Sequence, residues 1–174
     1  MKKIMFNDKY GLTQAVLEGR KTMTRRIVPY GTPFGNWAET ESKSRYKVGE
    51  VVAVAQSYLK AKVWSAPEQP RSAWDNKMFV RADLMPHQIR ITSIHVERLQ
   101  DISDQDCLRE GIRKKSDFPH KKSFPFFFDG GKHSWDNSFN TPRQAFAALI
   151  DKVSGRGTWK SNPYVFVYEF ELVK

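Results

Sequence analysis

Residues 19–26 read Gly-Arg-Lys-Thr-Met-Thr-Arg-Arg, placing four cations and two hydroxyls in eight positions. Arg20, Lys21, Arg25 and Arg26 stand there with no carboxylate among them. Burying such a cluster unpaired is costly. It is therefore either a solvated face or a pocket that receives an anion. A lysine crowded by arginines also gives up its proton more readily, because like charges disfavour the ammonium.

The rest of the composition narrows the field. The chain has 174 residues, 40% hydrophobic and 28% charged. That fits one globular domain with a core large enough to need no staples. Lys and Arg outnumber Asp and Glu by 29 to 19, a net charge of +10, which favours a polyanionic partner, nucleic acid first. A merely basic, soluble chain fits the same number. The single cysteine, Cys107, excludes an internal disulfide framework and a Cys-rich zinc site. His87, His95, His120 and His133 lack metal-ligand spacing, so no metal and no cofactor is expected. No apolar run reaches membrane-spanning length. The start, MKKIMFNDKYG, does not read as a secretory signal. The expectation is a cytoplasmic protein without a membrane partner.

These residues need a scaffold. A short strand is expected at 3–6 and a helix at 8–18, capped by Asn7 and stopped by Gly19. The segment 22–28 reads as extended, and 51–55 (VVAVA) as a strand. A short strand is expected at 78–82. IRITSIHVERL at 89–99 is a strand whose apolar phase shifts between Ile91 and Ile94, the mark of a bulge or of burial on both faces. Ser103 with Asp106 opens a short helix that Gly111 stops. Thr141-Pro142-Arg143-Gln144 opens a longer one, which Gly155 ends. Residues 164–172 alternate as a closing strand. The intervening segments 29–46, 60–77 and 113–140 read as loop insertions. The last carries the run Phe124-Pro125-Phe126-Phe127-Phe128 among lysines. Exposing three consecutive phenylalanines is costly, so core packing or a lid is favoured over base stacking. The pattern is α+β, and strands this separated in sequence suggest a closed or nearly closed barrel.

At this level of detail the chain resembles the ASCH domain family, a branch of the PUA-like β-barrels. AVLEGRKTMTRR resembles that family's N-terminal signature Gly-x-Lys-x-x-x-x-Arg, matched by Gly19, Lys21 and Arg26. KVGEVVAV is similar to its next strand. ITSIHVERLQDISDQDCLREGI is similar to its central strand and helix, and GTWKSNPYVFVYEFEL to the closing strand of its longer phage and mobile-element members. The resemblance implies a small mixed β-barrel ringed by short helices, with a cleft at the signature. It implies RNA or a modified nucleoside as partner. It also implies the chemistry of the family's acetylcytidine amidohydrolases, which use a lysine, a threonine three residues later and a glutamate in the central helix. Those positions fall on Lys21, Thr24 and Glu110.

Amide hydrolysis needs a nucleophile, a base to activate it and an acid for the leaving amine. Thr24 suits the first role and Lys21 the second. Glu110 suits the third, because the negative end of its helix disfavours a carboxylate. Gly19, Arg20, Arg25 and Arg26 form the expected substrate- or RNA-binding strip. Tyr58, after the 51–55 strand, and Asn162, before Pro163, are further candidates for the cleft. Against this stand plainer readings. The cations make a phosphate-binding strip without catalysis, Thr24 is a β-branched strand residue, and Glu110 pairs with Arg109, Arg113 or Lys114. In a fully extended 21–24 segment Lys21 and Thr24 would face opposite ways, so the triad requires a turn near Thr22. Three functions remain open: an amidohydrolase on an acylated base, a non-catalytic RNA-binding module, and a ribonuclease.

Overall fold

The computed structural model describes residues 1–64, 72–133 and 135–173. Its strands are β1 (Lys3–Ile4), β2 (Met23–Ile27), β3 (Val51–Val54), β4 (Gln88–Arg98), β5 (Arg113–Lys114), β6 (Phe126–Phe127), β7 (Ser138–Phe139) and β8 (Tyr164–Leu172). The helices are α1 (Leu12–Leu17), α2 (Trp37–Ser42), α3 (Tyr58–Ala61), α4 (Ser72–Asp75), α5 (Asp104–Arg109), α6 (Pro142–Ser154) and α7 (Thr158–Ser161). The architecture is α+β, with one five-stranded sheet, one three-stranded sheet and short helices.

The larger sheet runs β1-β3-β4-β8-β2. β1 is parallel to β3, and the other pairs are antiparallel. β8 lies between β4 and β2, and residues 165–168 are buried on both faces of the sheet despite their alternating pattern. β4 carries the anticipated irregularity between Ile91 and Ser93. The closed barrel anticipated from the sequence is not formed by hydrogen bonding. The ladder ends at β1 and β2, and β1 is two residues long. Across that seam Arg26 Nη2 donates to Met5 O at 2.6 Å, so a side chain spans what a ladder would have closed.

Local chemistry accounts for the helix boundaries. α1 begins at Leu12 and not at residue 8, because Gly11 sits at φ 69° in the left-handed region and cannot continue a helix. The Asn7 side chain accepts from Lys9 N instead of capping α1. Gly19, at φ 71°, stops the element as expected. Ser103 Oγ caps α5 by accepting from Asp106 N at 3.1 Å, and Thr141 Oγ1 caps α6 by accepting from Gln144 N at 3.1 Å. α6 buries Ala145, Phe146, Leu149 and Ile150, one face of an amphipathic helix.

Three local expectations change. Residues 78–82 are not a strand but parts of two 3₁₀ turns, Lys77–Phe79 and Ala82–Leu84. Asn76 caps the first through Met78 N, and the Arg81 N–H donates to the Tyr58 hydroxyl at 2.9 Å, so neither group is left for a ladder. The 29–46 segment holds α2, capped by Asn36. The 113–140 segment builds the small sheet β5-β6-β7. Phe127 and Phe128 are buried there, and Phe128 contacts Tyr10 edge-on at 5.7 Å between centroids and Phe139 at 6.2 Å. The core-packing reading holds for these two, while Phe124 is exposed and Phe126 half-buried. Part of the 60–77 segment lies outside the described residues.

Candidate functional site

Lys21 lies between α1 and β2, not within the strand. The Arg20 and Lys21 N–H groups both donate to Ala15 O, and Thr22 N donates to Arg109 O. This wraps the chain around the end of α1 before β2 begins at Met23. The alternation rule of extended chain therefore stops short of Lys21. Lys21 and Thr24 both line one cavity of about 280 Å3, together with Arg25, Arg26 and Glu110. One wall of it comes from α6, including Phe146 and Leu149, and another from Met5 and Phe6.

The Lys21 ammonium is 2% exposed and has three acceptors. It donates to Met23 O at 2.8 Å, Glu110 O at 2.8 Å and Glu110 Oε2 at 2.6 Å. Three donors meet three acceptors, so the charged form is satisfied in geometry. Burial is nevertheless the largest influence on Lys21 and pushes its pKa below the usual lysine value. Glu110 opposes that shift, while Arg26 and Arg25 add to it. The anticipated crowding by arginines is present, but desolvation outweighs it.

Glu110 is the residue that ends α5, as the sequence suggested. Its carboxylate meets Lys21 on Oε2 and Arg25 Nη1 on Oε1 at 3.1 Å. None of the ion-pair partners named from sequence takes it. Arg109 goes to Glu169 at 2.8 Å and to Asp106 at 3.6 Å, and Arg113 goes to Asp129 at 3.1 Å. Thr24 is buried, and its Oγ1 makes no hydrogen bond among the described residues. The Lys21 amine is turned toward Glu110 and the backbone, not toward that hydroxyl.

The cationic strip divides. Arg25 turns inward, with a side chain 1% exposed, and pairs with Glu97 at 2.6 Å, Asp106 at 3.2 Å and Glu110. Burial alone would lower its pKa, but Glu110 and Glu97 outweigh burial and raise it. Arg26 is partly buried and lines the cavity, with its guanidinium 5.8 Å from the centre of the Phe6 ring. Arg20 pairs with Glu18 at 2.7 Å, and neither it nor Gly19 lines the cavity. Tyr58 and Asn162 are not brought to it either. Tyr58 is fully buried in a second apolar cluster with Val80 and Met85. Asn162 ends α7 at φ 45°, and its Oδ1 accepts from Gln100 N at 2.8 Å.

The sequence reading missed Glu97 and Asp106, the carboxylates that neutralise Arg25. The signal for them was the cluster itself, since a buried guanidinium next to a lysine must find acids elsewhere in the chain. It also missed α6 as a wall of the cavity, because its apolar face read as core alone. Among the described residues no group of His, Cys, Asp and Glu is placed to hold a metal ion, and no helix is long and apolar enough to cross a membrane.

No family model and no curated protein matches the chain. Solved structures similar to it include the following two. One is a protein from Enterococcus faecalis described by the family-model DUF984, with a TM-score of 0.48 and 14% identity, over 99% of this chain and 80% of that one. The other is an ASCH domain from Lactobacillus crispatus, with a TM-score of 0.39 and 13% identity, over 93% of this chain and 70% of that one.

Proposed function

We propose that the protein is an amidohydrolase that removes an acyl group from the exocyclic amine of a modified base, acetylcytidine-like, in a nucleoside or in RNA. The observation that carries this reading is the buried Lys21–Glu110 contact of 2.6 Å in a cavity that Thr24 also lines. The resemblance of the signature segment to ASCH domains supports it.

In this reading Lys21 must hold a lone pair when Thr24 is deprotonated. Moving one proton along the Lys21–Glu110 contact converts ammonium and carboxylate into amine and carboxylic acid. That single transfer creates the base and the acid together, and low water access makes the neutral pair less costly than it would be in water. Thr24 Oγ1 attacks the amide carbon as its proton passes to the Lys21 amine. The C–N bond then breaks, the departing amine takes a proton from the pair, and the acyl group stays on Thr24 as an ester. Water then hydrolyses that ester and restores the hydroxyl. Arg26 stands beside the cavity, where it suits a developing oxyanion.

The test is release of cytidine and acetate from N4-acetylcytidine, or from RNA carrying that base, followed by chromatography. Thr24→Ala, Lys21→Met and Glu110→Gln should each lower turnover at least about 100-fold. Turnover by Thr24→Ala equal to that of the parent ends the assignment.

A second reading, an RNA-binding module without chemistry, is favoured by one observation. Thr24 Oγ1 is not hydrogen-bonded to the amine that would activate it. This reading expects salt-sensitive RNA binding and no turnover of any modified nucleoside.

A further inference from the structure

A second cavity of about 300 Å3 lies along the same seam between β1 and β2. It shares Met5, Arg26 and Ile27 with the first, so Arg26 is part of the wall between them. Four cations line it: Lys3, Arg26, Lys43 and Arg45. Among the described residues no carboxylate does. The remaining lining is apolar or aromatic, and includes Tyr46, Phe166 and Tyr168.

The charges there are poorly compensated. Lys3 donates to two backbone carbonyls, Met78 O and Val80 O, and among the described residues it has no acid. Arg26 donates to Met5 O, and among the described residues it also has no acid. Lys43 and Arg45 are exposed, and among the described residues neither side chain has an ion pair. The Arg45 guanidinium lies 5.6 Å from the centre of the Tyr46 ring. Burial and the Arg45 charge both push Lys3 and Arg26 below their usual pKa values. Elsewhere this chain neutralises its inward cations, as at Arg25 and Lys21. Here Lys3 and Arg26 have backbone carbonyls as acceptors, and Lys43 and Arg45 reach solvent without an acid among the described residues.

We propose that this second cavity binds the phosphate of a nucleotide whose base enters the Lys21–Glu110 cavity, so that the ligand is phosphorylated and not a free nucleoside. The proposal rests on the hydrolase reading only for which base is acylated. Each cavity lies near or below the lower end of the usual range for a complete ligand site, about 300–1,000 Å3. Two small cavities with a common arginine fit two parts of one molecule. The aromatic rings of Tyr46 and Tyr168 offer apolar contact to a sugar, and Lys43 and Arg45 offer charge to the phosphate. Their hydroxyls are already engaged in the fold: Tyr46 donates to Lys3 O, and Tyr168 accepts from Arg45 N.

The test measures affinity of the full chain by calorimetry at fixed ionic strength. The probes are cytidine, its 5′- and 3′-monophosphates, a short cytidine-containing RNA and inorganic phosphate. A phosphate-bearing nucleotide should bind at least tenfold more tightly than cytidine. Lys43→Ala with Arg45→Ala should reduce that advantage to less than twofold. Both side chains are exposed, so the fold is expected to survive. Lys152→Ala with Lys160→Ala removes the same charge elsewhere and should leave the advantage intact. An advantage in a monophosphate identifies a terminal phosphate, and one confined to the RNA identifies a phosphodiester. The proposal is overturned if no phosphorylated probe gains over cytidine. It is equally overturned if inorganic phosphate competes as well as the nucleotide, or if both double variants lose the gain alike. Because the probes carry no acyl group, failure to hydrolyse acetylcytidine leaves this result unaffected, and Lys21→Met should keep the phosphate advantage.

Discussion

The Lys21 amine stands 2.6 Å from Glu110 Oε2, although 89 residues separate them in the chain. Arg25 Nη1 holds the other oxygen of the same carboxylate at 3.1 Å. The two contacts are not equivalent. Removing Glu110 takes an acid from two buried cations, whereas removing Lys21 leaves Glu110 with Arg25. Glu110→Gln should therefore destabilise the protein by about 3–5 kcal/mol. Lys21→Met, which keeps most of the side-chain volume, should cost about 1–3 kcal/mol. Urea unfolding of both variants checks the order. An equal or larger loss for Lys21→Met would mean that Arg25 does not share the carboxylate.

The pH dependence of turnover follows from the same pair. Burial is the largest influence on Lys21 and moves its pKa below the usual lysine value, with Arg26 and Arg25 acting in the same direction. In the proposed hydrolysis the competent form is the pair that still holds its one shared proton. Turnover should hold while that proton is kept and fall as pH rises through the folded-state pKa, where the acid is lost. Between that pKa and the ordinary lysine value the unfolded chain binds more protons, so stability rises with pH across that window. Arg26→Gln removes a positive neighbour and relieves the repulsion on the ammonium. The falling limb should then move to higher pH. A limb that stays in place or moves to lower pH contradicts this electrostatic account of Lys21.

A separate acid-sensitive staple sits at Asp8. Its carboxylate receives Lys77 at 2.7 Å on Oδ1 and Lys60 at 2.9 Å on Oδ2, with Thr13 also donating to Oδ1. Burial is the largest single influence and would raise its pKa. The hydrogen bonds from Lys77, Thr13 and Lys60 together outweigh it and hold the pKa at about 2, against 3.8. The folded value is the lower one, so the stabilisation is present above about pH 4 and is lost as pH falls through about 2. Partial exposure screens the pair, which leaves about 1–2 kcal/mol in that window. Thermal melts from pH 5 to pH 2 should show this loss in the parent and a flatter profile in Asp8→Asn.

Features set by near neighbours were legible in the sequence, and features set by distant groups were not. The caps at Ser103 and Thr141, the stop at Gly19 and the β4 bulge rest on neighbours within a few residues, and all were legible. The start of α1 was not, because the left-handed turn at Gly11 depends on backbone geometry that the side-chain pattern does not encode. The strand anticipated at 78–82 failed because a remote group, the Tyr58 hydroxyl, takes the Arg81 N–H. In the site, Lys21, Thr24, Glu110 and Arg26 line one cavity, and Gly19 of the signature does not. Arg25 looked equivalent to Arg26 in sequence. It differs because its strand position turns it toward Glu97 and Asp106, acids contributed by β4 and α5. Tyr58 and Asn162 looked like cleft residues only through their places next to strands. Their packing partners, Arg81 and Gln100, could not be read from spacing.

Gly111 links the backbone of this region to its chemistry. It follows Glu110, lies at φ 111°, and donates its N–H to Leu108 O at 3.0 Å. A Cβ there would stand 3.1 Å from Leu12 Cδ2 and 3.8 Å from the Lys21 Cδ. The first contact makes the Leu12 side chain give way slightly, and the backbone conformation is unfavourable for any residue with a Cβ. Gly111→Ala should therefore cost about 1–3 kcal/mol in stability. It should also disturb the Lys21 stem and the Glu110 backbone carbonyl that accepts from its amine. With that acceptor displaced, the ammonium is held less well, and the falling limb of turnover should move to lower pH. Unfolding and pH-rate measurements on the one variant test both effects. An unchanged unfolding midpoint would show that Leu12 can yield freely, and an unchanged limb would show that the carbonyl does not help to hold the lysine proton.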